Sequence, residues 1–192
     1  MLENTDISRR HFLKKTMSAG TLGAAMAMLP TLANAHAIEM PRDISDFKIS
    51  FRNQHTGESF SSVYKANGRY NPDAFHEINH VMRDFRTGDI FPIDPRVIDI
   101  LFMVRYNAGA EHIPYEILSG YRSPKTNAML GRAGTGVASN SLHMTGQAAD
   151  LRLPGYKTRY IRNLAVKLKA GGVGFYPKSN FIHVDTGRPR NW

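Results

Sequence analysis

Apolar side chains recur at helical spacing in three long segments of this chain. The first is opened by Asn71-Pro72-Asp73, and the second runs from Asp94-Pro95 to about Asn107, with proline in a first turn in both. The third covers 158–170 and stops at Gly171-Gly172. The pattern predicts three helices whose core-facing residues are Phe75, Ile78, Met82 and Phe85; Val97, Ile98, Leu101 and Val104; and Ile161, Leu164, Ala165 and Leu168.

Alternation of apolar and polar residues predicts strands between these helices. The segment 47–65 indicates a hairpin that turns at His55-Thr56-Gly57-Glu58, where Gly57 suits the positive φ of a tight turn. A strand over 113–118 leads to a short helix over 124–130 and then to a Gly/Ser/Ala-rich loop. Helices and strands mix without strict βαβ alternation, which favours a single α+β domain with an antiparallel sheet flanked by helices.

Two later strands put charged side chains on one face. In 147–153 the alternation groups Ala148, Asp150 and Arg152 on one side, with the apolar residues on the other. In 181–187 it groups His183 with Asp185. A carboxylate on a half-buried strand is costly unless a cation or a donor meets it, so both strands indicate a polar site.

The first 35 residues carry the features of an export signal. Paired arginines stand in Ser8–Lys14, a mild apolar run covers 17–33, and small residues follow at Ala33-Asn34-Ala35. The run contains Thr, Ser, Gly and Pro, so it is too weakly apolar for a stable membrane span. We therefore expect a twin-arginine signal peptide over 1–35, cleaved after Ala35 or alternatively after Ala37, a periplasmic domain over 36–192, and the twin-arginine export machinery as a partner.

Charge and cysteine content narrow the class of partner. The formal net charge is +9, and it falls to +7 without residues 1–35, which hold four basic and two acidic side chains. A protein this basic favours an anionic partner, and export makes peptidoglycan a better candidate than nucleic acid. We expect no nucleic-acid binding. The chain has no cysteine, which excludes disulfides and thiolate ligands.

His143, Asp150 and His183 are the candidate metal ligands. His143 and Asp150 lie seven residues apart in SLHMTGQAAD, with Gly146 between them to let the chain reverse, and His183 shares a strand face with Asp185. Taken singly, each has an ordinary alternative: a hydrogen-bonded loop histidine, a salt-bridged aspartate and a core histidine. Together, two nitrogens and one oxygen suit Zn²⁺ and leave a fourth position for water, as in catalytic sites.

A second motif competes for the metal. His76-Glu77-Ile78-Asn79-His80 matches H-E-x-x-H, in which two histidines one turn apart bind zinc. On a helical wheel the two histidines fall away from the apolar stripe that contains Ile78. We therefore predict that this pair lies on the solvent-facing side of its helix.

The pattern H-x-x-G-x-A-x-D from His143 to Asp150, followed by H-x-D at His183 and Asp185, resembles the zinc D-Ala-D-Ala peptidase superfamily. Its YcbK- and MepK-like murein endopeptidases are the most similar branch. SGYRS at 119–123, HTGES at 55–59 and the segment 171–187 extend the resemblance over nearly all of the chain beyond the signal. It implies the hedgehog/DD-peptidase type of α+β fold.

The resemblance also implies roles for individual residues. Arg122 corresponds to an arginine that holds a substrate carboxylate or the developing oxyanion, although a structural ion pair is its alternative. Ser141 corresponds to a substrate-contacting position, with loop capping as its alternative. Many relatives carry an acid three residues before the second metal histidine, where this chain has Asn180. Asp185 is then the best candidate for the general base, or it orients His183 instead.

These features predict an exported zinc murein peptidase that hydrolyses amide bonds in peptidoglycan cross-links. Two other functions stay open. The chain could be a D,D-carboxypeptidase or dipeptidase that acts on stem termini. It could also be an inactive, metal-containing module that binds peptidoglycan, and Asn180 favours that alternative.

Overall fold

The computed structural model describes residues 41, 44–134 and 136–192. The predicted signal peptide over 1–35 lies outside these residues. Within the described part of the chain, no helix has the length and apolar character needed to cross a membrane. The helices are α1 (Pro72–Val81), α2 (Pro95–Asn107), α3 (Pro124–Arg132) and α4 (Thr158–Leu168), with one 3₁₀ turn at Leu142–Thr145; the strands are β1 (Asp46–Asn53), β2 (Ser59–Ala66), β3 (Arg69–Tyr70), β4 (Tyr115–Ser119), β5 (Ala148–Arg152), β6 (Gly172–Tyr176), β7 (Phe181–Asp185) and β8 (Arg190–Asn191).

The eight strands of the described residues form one sheet in the order β3-β2-β1-β4-β5-β7-β6-β8. Most neighbours are antiparallel, but β1 pairs with β4 and β6 pairs with β8 in parallel. The parallel β1–β4 pairing brings together strands that are separated in the chain by β2, β3, α1 and α2. The α+β prediction is therefore confirmed, and the sheet is mixed.

The hydrophobic core covers one face of this sheet. Ala149 and Leu151 of β5 join Ile182 and Val184 of β7 in the core, together with buried residues of α1, α2 and α4. The alternation along β5 and β7 turns the intervening residues to the other face. The core therefore supports, from behind, the strand face that carries Asp150 and His183.

Helix α1 is shorter than its apolar spacing predicts. Asn71 caps its start by accepting from the backbone N–H groups of Asp73 and Ala74. The helix ends at Val81 because the carbonyl of Met82 accepts a hydrogen bond from Tyr121 N at 2.8 Å instead of continuing the helical ladder. Beyond this end, Met82 still packs in the core, whereas Phe85 stacks on the ring of His55. The buried residues of the helix itself are Ala74, Ile78 and Val81.

Gly146 permits the reversal between the 3₁₀ turn and β5. Its φ is +67°, in the left-handed region, and a Cβ at this position would collide with the Pro92 carbonyl oxygen. The Gly146 carbonyl in turn accepts from Asp94 N at 2.9 Å, at the start of α2. Only glycine satisfies both the backbone conformation and the close approach.

We expect Gly146→Ala to destabilise the fold by more than Gly155→Ala. Gly155 also has a positive φ of +81°, but a Cβ there would have no atom within 4 Å, so alanine costs only the left-handed strain of about 1–2 kcal/mol. At Gly146 the collision with Pro92 adds about 1–3 kcal/mol. Thermal and urea unfolding of both variants measures the difference, and equal losses would show that the collision is relieved without cost.

Candidate metal centre

The 3₁₀ turn Leu142–Thr145 holds His143 in one ring orientation. The side chain is 2% exposed, and its Nδ1 lies 2.7 Å from the Gly120 carbonyl oxygen. A carbonyl can only accept, so Nδ1 carries the proton and donates. The lone pair of Nε2 is therefore directed away from Gly120, towards the strands that carry Asp150 and His183.

Strand pairing brings the other two residues together. Asp150 of β5 lies directly opposite His183 of β7 in the antiparallel register. His183 Nδ1 and Asp150 Oδ1 are 2.9 Å apart, and both side chains are about nine-tenths buried. The facing positions of this pair follow from the register alone.

Three donor atoms converge at this point. His143 Nε2 lies 3.2 Å from His183 Nδ1 and 3.2 Å from Asp150 Oδ1, which closes a triangle with the 2.9 Å contact. A tetrahedral zinc site with bonds of about 2.0–2.2 Å separates its ligand atoms by about 3.3–3.6 Å. Among the described residues these three form the one group of this kind that could hold a metal ion.

The charges and lone pairs at this triangle favour a bound cation. His183 Nε2 lies 2.9 Å from Asp185 Oδ2 and donates to it, which leaves the lone pair of Nδ1 facing a carboxylate oxygen and a second imidazole lone pair. Without a metal, a second proton on His183 satisfies both neighbouring carboxylates. Burial alone would lower the pKa of His183, but its bonds to Asp150 and Asp185 raise that pKa to about 9. Burial would raise the pKa of Asp150, but the two histidines keep it well below its ordinary value. The donor set fits a divalent cation.

Asp185 is fully occupied by donors. Its Oδ1 accepts from Gly172 N, Gly187 N and Arg190 Nη1, and its Oδ2 accepts from His183 Nε2 and Arg190 Nη2, all at 2.7–3.0 Å. The side chain is 0% exposed. Burial would raise the pKa of this carboxyl, but the hydrogen bonds, led by that of His183, hold it far below its ordinary value. Asp185 has no free lone pair with which to take a proton from a reactant.

The sequence offered no sign that the C-terminal residues belong to this site. Strand β8 pairs with β6, which places Arg190 against Asp185 and brings the ring of Trp192 5.4 Å from that of His183. The guanidinium of Arg190 also lies 4.9 Å from the Trp192 ring centroid. Trp192 is 50% exposed and forms part of the cavity wall. Neither residue stands in a motif, so only the strand pairing reveals them.

A cavity of about 570 Å³ opens over the three donor atoms. Arg122 is 7% exposed in its wall, and its contacts with Ser119, Asn127 and Asp150 are long, at 3.4–3.5 Å. Its Nε is buried and has no hydrogen-bond partner, so contact with a ligand falls to the two Nη groups. The guanidinium thus keeps donor capacity for a ligand. Every residue singled out from the sequence for a role in the site lines this cavity: Arg122, Ser141, His143, Asp150, His183 and Asp185.

The competing H-E-x-x-H motif lies elsewhere. His76, Glu77 and His80 are exposed on α1, as the helical wheel predicts. His80 Nε2 lies 3.3 Å from Glu58 Oε1, and Glu58 also binds Arg83. The pair is part of a solvated surface, away from the cavity.

Asn180 stands in the turn between β6 and β7 with a φ of +52°. Its side-chain oxygen accepts from the hydroxyl of Thr158 at the start of α4. It does not line the cavity, so this position does not supply a polar group there. In the described part of the chain, Asp150 and Asp185 are the only carboxylates in the cavity wall.

A buried His–Asp–His triangle with an open side, beside an arginine with spare donors, is the arrangement of a metal-dependent hydrolase. The family model described as peptidoglycan L,D-endopeptidase MepK matches residues 43–192. The chain belongs to this family of peptidases. The Escherichia coli K12 and Shigella flexneri proteins named peptidoglycan L,D-endopeptidase MepK are each 37% identical over 191 residues, covering 100% of both chains.

A solved structure gives a more distant comparison. The crystal structure of Serratia marcescens L-Ala D-Glu endopeptidase ChiX aligns with 40% of this chain and 59% of its own length, at 23% identity and a TM-score of 0.31. The match is too partial to bear on the site.

We expect His183→Ala to abolish metal binding, because it removes one of three ligands and leaves Asp150 without its opposite partner. Elemental analysis of the purified protein should find close to one metal ion per wild-type chain and almost none in the variant. The matched control is His76→Ala, which removes an exposed histidine of the competing motif. Loss of the metal from His76→Ala, with retention in His183→Ala, would show that the metal binds on α1 instead.

Proposed function

We propose that this chain is a zinc-dependent endopeptidase of the periplasm that hydrolyses an amide bond in the peptide cross-links of peptidoglycan. The observation that carries the proposal is the convergence of His143, Asp150 and His183 on a cavity in a member of this peptidase family. The names of the relatives describe L,D-endopeptidases of peptidoglycan, and we extend that activity to this chain.

Zinc is the metal that this donor set favours. Two imidazole nitrogens and one carboxylate oxygen match catalytic zinc sites, whereas Mg²⁺ and Ca²⁺ prefer oxygen ligands throughout. When bound, zinc supplies Lewis acidity and makes a water molecule nucleophilic near neutral pH. His143 and His183 present the ring nitrogens, and their second nitrogens are held by Gly120 and Asp185.

Arg122 and Ser141 bind the substrate. The Arg122 guanidinium is buried in the cavity wall and makes only long contacts. It can therefore donate hydrogen bonds to a substrate carboxylate, or to a carbonyl oxygen that gains negative charge during the reaction. Ser141 precedes the turn that carries His143, and its side chain makes no capping hydrogen bond there. The hydroxyl is therefore available to a peptide in the cavity.

Asp185 orients His183 and does not act as the general base. The support for this role is its five hydrogen bonds, its complete burial and its bond to the His183 nitrogen that faces away from the donor triangle. A carboxylate on the far nitrogen of a metal-binding histidine fixes the ring and increases its basicity. Arg190 holds the carboxylate in turn.

Location and charge agree with this substrate. The twin-arginine motif and small-residue site over 1–35 support export to the periplasm through the twin-arginine machinery. Removal of that segment leaves a formal charge of +7, which draws the domain to anionic peptidoglycan over the roughly 8 Å reach that physiological salt allows. Cleavage of a cross-link requires that the cavity over the metal centre admit peptide on both sides of the scissile bond.

We expect the zinc-loaded protein to cleave purified cross-linked muropeptide dimers and to leave uncross-linked pentapeptide stems intact. Chromatography of both digests measures this, with His183→Ala as the inactive control. Release of terminal D-Ala from the stems with the dimers untouched would identify a carboxypeptidase. Cleavage of neither substrate by the zinc-loaded protein would favour a peptidoglycan-binding module.

We expect Asp185→Asn to lower zinc affinity by about 10–100-fold while turnover per bound zinc is largely kept, because a neutral amide no longer increases the basicity of His183 and places an NH2 group among N–H donors. Competition with a chelator measures the affinity, and kinetics at saturating zinc measures the turnover. Glu116→Gln is the matched control, since it removes a carboxylate paired with Arg152 on the sheet, outside the cavity. Unchanged zinc affinity with turnover reduced about 100-fold would instead assign Asp185 as the base.

A further inference from the structure

A second arginine lines the cavity beside Arg122. Arg86 is exposed, follows the end of α1 and belongs to no motif singled out in the sequence. Its guanidinium lies 4.2 Å from the centroid of the Phe85 ring, which stacks on His55 at 3.9 Å. The side chain thus rests on a stacked pair of rings, with its charged group at the cavity.

Asp84 ties the segments of the two arginines together. One carboxylate oxygen accepts from Arg86 N at 3.0 Å, and the other accepts from the N–H and hydroxyl of Ser123 at 2.9 and 2.7 Å. Tyr121 N also donates to the Met82 carbonyl at 2.8 Å. Asp84 is 2% exposed, so this bridge is part of the folded core. The segments that carry Arg86 and Arg122 are therefore fixed next to each other, and both residues line the cavity.

Neither arginine is neutralised within the protein. No ion pair joins Arg86 to a carboxylate of the described residues, and Arg122 has only the 3.4 Å contact with Asp150, which is also a metal ligand candidate. Arg190, the third arginine of the wall, is neutralised by Asp185. The cavity wall therefore has more arginines than carboxylates before any metal is counted, and a divalent cation increases the excess.

Each arginine also lies in the field of the other. Both guanidinium groups are positively charged and belong to residues that line the same cavity. Asp84 lies between their segments, but its two oxygens accept from Arg86 N and from Ser123 and not from either guanidinium, so the two like charges still repel each other. A bound anion between them removes that repulsion and gains charge-assisted hydrogen bonds from two planar donor groups.

We propose that Arg86 and Arg122 form a paired binding site for a free carboxylate of the peptide stem. This proposal rests on the proposed function. The paired site selects a cross-linked stem with an ionised carboxylate near the scissile bond. Arg122 supplies the buried half of the site and Arg86 the outer half. Arg86 therefore acts in substrate selection, and stems whose carboxylates are amidated are poor substrates.

The test compares Arg86→Gln with the wild type on two soluble substrates: a cross-linked muropeptide dimer with free stem carboxylates and the same dimer with those carboxylates amidated. We expect KM for the free-carboxylate dimer to rise about 10-fold in the variant with little change in kcat, the scale of one exposed charge-assisted contact. KM for the amidated dimer should not change.

Arg159→Gln is the matched control. Arg159 is also exposed and also lies over a phenylalanine ring, 5.2 Å from the Phe175 centroid, but it does not line the cavity. We expect wild-type KM values for both substrates in this variant. The proposal would be overturned if Arg86→Gln had the same KM values as Arg159→Gln, or if its KM rose equally for both dimers.

A binding measurement tests the paired arginine site independently of the proposed endopeptidase activity. Calorimetric titration of zinc-loaded wild type and Arg86→Gln with an uncross-linked stem peptide, free or amidated at its carboxylates, requires no cleavage. A Kd that rises about 10-fold in the variant for the free peptide alone supports the paired site, even if neither dimer is cut and the endopeptidase proposal fails. Equal Kd values for the two proteins exclude the site, whatever the activity.

Discussion

The antiparallel pairing of β5 with β7 is the constraint on which the rest of the site depends. It sets Asp150 directly opposite His183 and turns Ala149, Leu151, Ile182 and Val184 into the core behind them. A shift of one residue in either strand would move its polar side chains into the core and its apolar ones into the cavity. The hydrophobic core therefore maintains the register, and the register brings two of the three donor atoms to within 2.9 Å.

The remaining parts of the site are fixed by polar contacts between distant segments. Gly120 orients the His143 ring through its carbonyl, and Asp84 connects the end of α1 to the segment that carries Arg122. Arg190, on the last strand, saturates the carboxylate that orients His183. These bonds leave the histidine nitrogens and the Arg122 guanidinium as the groups with unused capacity. That unused capacity supports the proposed hydrolysis of an anionic peptide.

Much of the site and most of the elements could be predicted because they depend on local periodicity. The alternation in 147–153 and 181–187 identified the strand faces, and the apolar stripe of α1 put His76 and His80 towards solvent. The extent of α1 was predicted less well, since a hydrogen bond to Tyr121 diverts the Met82 carbonyl at its end. Asp185 had two open roles in the sequence. Its five hydrogen bonds come from residues on β7, β6 and β8 and in the turn after β7, and they form only when those strands pair, so periodicity could not separate those roles.

The sequence by itself determined the α+β class, the candidate ligands His143, Asp150 and His183, and the basic charge, because each of these follows from residue type and spacing along one segment. The tertiary structure alone decided that β8 completes the sheet, that Arg190 binds Asp185, and that Arg86 shares a cavity with Arg122. Those facts depend on which segments become neighbours after folding. No pattern within a single segment predicts which segments become neighbours, because that depends on the packing of the whole core and on the pairing of strands far apart in the chain.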